Sequence, residues 1–190
     1  MIDFFYSIDL AIFYFFNHNL STPLLDKFFS ILTNVNNWYI AYIILLGISF
    51  FKGGIKGKIA VGVIILLILF TDQLGYKVLK EIFHRTRPCN ILPDVLTPVG
   101  CNGTYSFPSN HALNNFAAAM FFYRLFPNLK WILFITASLV ALSRVYLGLH
   151  YPSDIIGGAI LGSAIGYLFS IAALKLEEHI VFKSSKKIEV

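Results

Sequence analysis

Apolar residues run in long blocks along this chain, at 38–51, 59–71, 112–126, 131–149 and 155–176, instead of alternating or lining one face as in a water-soluble fold. Each block extends through uncharged or interfacial residues to about the ~20 residues that a helix needs to cross a bilayer. The pattern predicts an all-α, polytopic transmembrane helix bundle. Ahead of the first block, Phe4, Phe5, Ile8, Ile12, Phe15 and Phe16 fall on one helical face. Residues 1–19 therefore read as an amphipathic helix lying at the membrane interface, with a sixth span as the alternative, so the bundle has five or six spans. The same segment carries Asp3 and Asp9 in place of the basic region of a signal peptide and lacks a small-residue cleavage site, so it is expected to stay on the mature protein.

Composition agrees with the blocks. The chain is 57% hydrophobic and 13% charged, against about 45–50% and 25% in soluble domains. No linker, low-complexity tract or repeat divides it, so residues 1–190 are expected to form a single membrane-embedded domain.

Charge then orients the helices. Alternating spans put Lys52, Lys56, Lys58, Arg124, Lys130, Lys175, Lys183, Lys186 and Lys187 on one side, and the positive-inside rule makes that side the cytoplasm. Residues 176–190 become a basic cytoplasmic tail. The net charge of +5 is thus an orientation signal beside anionic headgroups and calls for no nucleic-acid partner. The opposite, external side holds Cys89 and Cys101 in one polar loop, where an oxidising compartment would let them pair. Two unpaired thiols remain the alternative, and a zinc site lacks enough ligands.

Ionisable residues at membrane depth are costly and mark functional sites. Here they collect at the external ends of four segments: Lys80 with Arg87, Ser109 with His111, Ser143-Arg144 with His150, and Asp154. Arg87 and Arg144 each present a fork suited to phosphate oxygens, and Lys80 adds a point charge. Ser109, after Pro108, is placed as an N-cap, so the following helix would aim free N–H groups at the same anion. The two imidazoles titrate in the range needed for nucleophilic and proton-donor work. Asp154 lies four residues beyond His150, past the helix-interrupting Pro152, and is spaced to hold one ring nitrogen. Taken singly, each residue has an ordinary structural reading; their coincidence points to a phosphate site.

Lys80-x6-Arg87-Pro88, Pro108-Ser109-Asn110-His111 and Ser143-Arg144-x5-His150-x3-Asp154 resemble, in order and spacing, the three-part signature of the type 2 phosphatidic acid phosphatase superfamily. That group includes bacterial undecaprenyl pyrophosphate, phosphatidylglycerophosphate and lipid A 1-phosphatases. The resemblance implies that His150 is the nucleophile that becomes phosphorylated, that Asp154 orients its ring and that His111 protonates the leaving oxygen. It further implies that Lys80, Arg87, Ser109, Arg144 and the backbone at Asn110 bind the phosphate, with no metal and no cofactor. Asn110 departs from the family's usual glycine, so its contribution is assigned to the main chain alone.

The expected enzyme is an integral lipid phosphatase of the cytoplasmic (inner) membrane, its site facing the periplasm or outside. Its expected substrate is a lipid phosphate or diphosphate, with undecaprenyl pyrophosphate and lipid A 1-phosphate ahead of phosphatidylglycerophosphate or phosphatidic acid. An anion or lipid-phosphate transporter or channel is the competing class, but the apolar cytoplasmic halves of the helices offer no polar pathway. Gly158, Gly162 and Gly166 form a small-residue stripe that favours packing within the bundle of a monomer, with dimerisation as the alternative. Asp72 reads as a structural partner of Lys77 or of a neighbouring helix, and Asn114 and Asn115 as interhelical hydrogen-bond formers.

Overall fold

The computed structural model describes residues 2–185. Nearly all of them are helical, and no strand occurs among them. Two short N-terminal helices come first: α1, Ile2–Tyr14, which runs on as a π-helical stretch Phe15–Asn19, and α2, Pro23–Thr33. The five apolar blocks fall on α3 (Tyr39–Lys52), α4 (Gly54–Gln73), α7 (Asn110–Leu125), α8 (Lys130–Tyr146) and α9 (Pro152–Ser185). A π stretch, Leu74–Leu79, carries α4 into the short α5, Lys80–Phe83, and its wider turn re-phases the helix just before Lys80. One further turn, α6, Pro88–Ile91, lies in the loop between α5 and α7.

Among the described residues, four helical stretches are long and apolar enough to cross a membrane: Val35–Lys52, Gly54–Phe83, Pro127–Tyr146 and Pro152–Ser184. The fifth block forms only the 16 residues of α7. This helix occupies the middle of the bundle, against α4, α8 and α9. Its contact with α9 is the closest, because Gly158, Gly162 and Gly166 face the α7 main chain with no side chain between. A Cβ on Gly162 would stand 2.2 Å from the Leu113 carbonyl oxygen, and one on Gly166 would stand 2.2 Å from that of Ala117. The glycine stripe therefore packs inside the bundle. Ile59, Ala60, Ile64, Leu67, Ala117, Phe121, Leu125 and Ala173 fill the space between α4, α7 and α9. On the outer faces, Ile65, Leu66, Leu69 and Phe70 of α4 and Ile156, Ile160 and Leu168 of α9 are exposed, as lipid-facing side chains are.

The N-terminal helix is docked on the bundle by the face opposite to the apolar one. Phe4, Phe5, Ile8, Ile12 and Phe15 are exposed, whereas Asp9, Phe13 and Asn17, spaced one turn apart, are buried. Asn17 donates to the carbonyls of Leu96 and Tyr146, each at 2.8 Å, and accepts from the Leu96 N–H. At the other end of the chain, α9 continues through most of the segment expected to be a tail. Lys186 and Lys187 lie outside the described residues. Lys56 pairs with Glu177 at 3.7 Å, which sets the basic ends of α4 and α9 side by side, at the far end of these helices from Lys80 and Asp154.

Candidate active site

Each motif residue is placed by a local device. Past Tyr146 the chain turns at Gly148, whose φ of +76° few other residues adopt, and a Cβ there would meet the Leu96 carbonyl at 2.6 Å. The turn lets the N–H groups of both Leu149 and His150 donate to the Arg144 carbonyl, so the nucleophile candidate returns beside its arginine. Pro152 starts α9 and puts Asp154 in its first turn, where a carboxylate faces the positive end of the helix. Ser109 caps α7 by accepting from the Ala112 N–H, and its own N–H donates to the Asp154 carbonyl at 3.2 Å.

His150 and Asp154 are both buried. The Nδ1 of His150 stands 3.4 Å from Asp154 Oδ2, close enough for electrostatic pairing and without good hydrogen-bond geometry. Nε2 is the ring nitrogen left free for chemistry. Burial pushes the imidazole down to about 3, against the pull of Asp154, so the ring is neutral at neutral pH and its lone pair is available. Arg87 and Arg144 lie near enough for their charges to be felt at both His150 and His111. Each keeps a buried Nε without a hydrogen-bond partner. Two guanidiniums with uncommitted donors beside two imidazoles make a site for an oxyanion.

The remaining expected residues are placed as follows. Lys80 is buried and donates to the carbonyls of Tyr105 (2.8 Å) and Ser106 (3.4 Å), pinning the loop before Ser109 while feeling the charges of Arg87, Asp154 and Arg144. Asn110 turns its amide to the Asp72 carboxylate at 3.2 Å, and Asn114 joins the same carboxylate at 3.3 Å. Asp72 is thus an interhelical partner of α7, and the Asn110 side chain is tied to α4, leaving only main chain at the α7 N-terminus. Asn115 donates to the His111 carbonyl within its own helix. Cys89 and Cys101 are joined, with Cα atoms 6.0 Å apart. Closing a loop of that size contributes about 3 kcal/mol. Accordingly, Cys89→Ser is expected to lower the melting temperature of the detergent-solubilised protein. Non-reducing peptide mapping should recover the Cys89–Cys101 link from the unaltered chain.

Three residues close to the site, Thr33, Arg85 and Asp9, escaped the motif reading. Thr33, at the end of α2, accepts from Arg144 at 2.8 Å and offers its main chain to the His111 ring, so α2 braces two site residues at once. Arg85 donates to Asp154 Oδ1, Ser153 Oγ and Asp9 Oδ2, each at 2.6 Å, and lies 4.0 Å over the Tyr151 ring. Burial alone would lower the pKa of Arg85, but Asp154 and Asp9 outweigh it and hold it above the ordinary value. Asp9 also accepts from both the N–H and the hydroxyl of Ser153. The available signal was an acid, Asp9, inside an apolar segment, one helical turn from Phe13 and two from Asn17.

Residues 61–177 match the model of the PAP2 superfamily. The chain is 36% identical over 185 residues to a lipid A 4'-phosphatase of Bacteroides thetaiotaomicron, an alignment that covers 93% of this chain and 81% of the relative. Among solved structures it resembles LpxE of Aquifex aeolicus, with a TM-score of 0.62 and 29% identity over 87% of this chain and 94% of that one. It also resembles a PAP2-type phosphatidylglycerolphosphate phosphatase of Bacillus subtilis, with a TM-score of 0.63 and 27% identity over 92% and 86% of the two chains.

Proposed function

Because the chain belongs to the PAP2 superfamily and is a membrane phosphatase of that family, we propose that it removes a phosphate from a lipid headgroup through a phosphohistidine on His150. The observation that carries this reading is the buried His150–Asp154 pair beside Arg87 and Arg144. In the first step Nε2 attacks phosphorus in line. A P–N bond forms, the bond from phosphorus to the leaving oxygen breaks, and His111 gives that oxygen its proton. In the second step water attacks the phosphorus and its proton goes to His111. The P–N bond breaks, and inorganic phosphate leaves with His150 restored. Arg87 and Arg144 neutralise the equatorial oxygens, helped by Lys80, Ser109 and the N–H groups at the α7 N-terminus, in the manner of an oxyanion hole.

These cationic donors supply the charge stabilisation that phosphoryl transfer demands, so the mechanism is proposed to need no metal. The basic residues gathered at the far ends of α4 and α9 support a site facing away from the cytoplasm, in a five- or six-span bundle. For the substrate, likeness to the Bacteroides enzyme along almost the whole chain favours a phosphate monoester of lipid A, ahead of undecaprenyl diphosphate and phosphatidylglycerophosphate. Purified protein in detergent with EDTA should release phosphate from lipid A faster than from the other two lipids. Activity confined to one of the others would reassign the substrate, and activity abolished by EDTA and restored by a divalent ion would overturn the metal-free mechanism.

A further inference from the structure

The three motifs leave the N-terminal helix without a task, yet its buried Asp9 reaches the catalytic dyad through a single side chain. Asp9 is 7% exposed and Asp154 is fully buried. Between them Arg85 donates one nitrogen to each, at 2.6 Å on both sides, with its plane fixed over Tyr151. Asp9 completes the frame by accepting from the Ser153 N–H at 2.8 Å, one of the unpaired donors at the start of α9. The Tyr151 N–H holds the second oxygen of Asp154 at 2.8 Å, on the side where His150 stands. We propose that Asp9 and Arg85 are positioning residues for phosphoryl transfer, fixing Asp154 so that its charge meets the positive charge that develops on His150. This rests on His150 being the nucleophile.

Two physical points support the assignment. With Oδ1 held by Arg85, the carboxylate cannot swing onto the neutral ring. Its pull on Nδ1 is weak at 3.4 Å in the resting state and grows when phosphorylation makes the ring cationic. An interaction that strengthens only as charge develops accelerates the chemical step. Charge balance points the same way, since Arg85 alone would cancel the field of Asp154 at His150. Asp9 offsets Arg85 and leaves the group one negative charge to stabilise the imidazolium. Mere anchoring of α1 does not require Asp9, because buried Phe13 and the three hydrogen bonds of Asn17 already dock that helix.

The test compares the full chain in detergent with its Asp9→Asn, Arg85→Lys, double and Asn17→Ala variants on the lipid phosphate that the unaltered chain turns over fastest. Asp9→Asn is expected to lower kcat roughly ten- to a hundredfold, by analogy with the loss of outer partners of metal-ligating imidazoles, with KM changed by less than about threefold. Arg85→Lys should act in the same sense, and the double variant should fall no more than about threefold below the weaker single one, because the two residues act in series. Asn17→Ala, which loosens α1 without touching the network, should lower the melting temperature more than kcat. A kcat for Asp9→Asn within about twofold of the unaltered chain would overturn the proposal. So would losses that multiply in the double variant, or a kcat loss in Asn17→Ala as large as that in Asp9→Asn. A His150→Ala variant assayed alongside separates the two levels: if it stays active, the nucleophile assignment fails, whereas if only the Asp9 and Arg85 variants stay active, this inference alone fails.

Discussion

Replacing His150 with alanine is expected to lower phosphate release by at least about a thousandfold, the scale on which loss of a covalent nucleophile acts. The fold should persist, because the change removes a ring that makes no good hydrogen bond through Nδ1 and leaves Arg85 and the Tyr151 N–H to hold Asp154. Rapid quenching of the unaltered chain in alkali during turnover should trap an acid-labile phosphoryl group on His150. The variant should show none while keeping its melting temperature within a few degrees. A variant that retains full activity would require direct attack by water, with His150 reduced to a general base or a ligand. Uncharged at neutral pH, the ring needs no deprotonation before it attacks, and this separates the assignment from a serine- or cysteine-type mechanism that depends on a base.

Gly162→Val is expected to damage the bundle severely. Its Cβ would stand 2.2 Å from the Leu113 carbonyl oxygen and 3.1 Å from the Ala117 nitrogen. Those are backbone atoms, which cannot step aside as a flexible side chain can. Helices α7 and α9 must separate, at a cost at or above the roughly 1–3 kcal/mol typical of overpacking. Activity should fall with stability, because α7 carries Ser109 and His111 while α9 carries Asp154, and the Ser109 N–H to Asp154 carbonyl bond spans the two. Gly62 on α4 supplies the control: a Cβ there meets nothing within 4 Å, so Gly62→Val should melt with the unaltered chain. Equal melting temperatures for the two valine variants would refute the close approach of α7 and α9.

The helical blocks were legible because a bilayer imposes length and hydropathy on every segment that crosses it, and both are local properties of sequence. α7 shows where that reading thins. Buried among other helices instead of lipid, it is only 16 residues long and carries Asn114 and Asn115, and its place in the middle follows from what packs around it. The N-terminal helix has a second face that the sequence reading left aside. Its apolar face was legible as an interface-seeking surface, and Phe4, Phe5, Ile8, Ile12 and Phe15 of that face are exposed. What the pattern concealed is that Phe13 and Asn17 hold the helix to the protein, with Asp9 on the same face turned to Arg85 and Ser153.

The site divides along the same line. Lys80, Arg87, Ser109, His111, Arg144, His150 and Asp154 could be singled out from the chain alone, because phosphate chemistry restricts residue type and the turns of α7, α8 and α9 restrict spacing. Arg85, Thr33 and Asp9 could not. Arg85 falls between the spaced motif positions, and its three acceptors, 68, 69 and 76 residues away along the chain, are brought to it only by the fold. Thr33 meets Arg144 across 111 residues. Residue type and local spacing are written in sequence because each is set within a helical turn or two. Which carboxylate stands behind which cation was decided only by helix packing, since such partnerships depend on distances that no local pattern encodes.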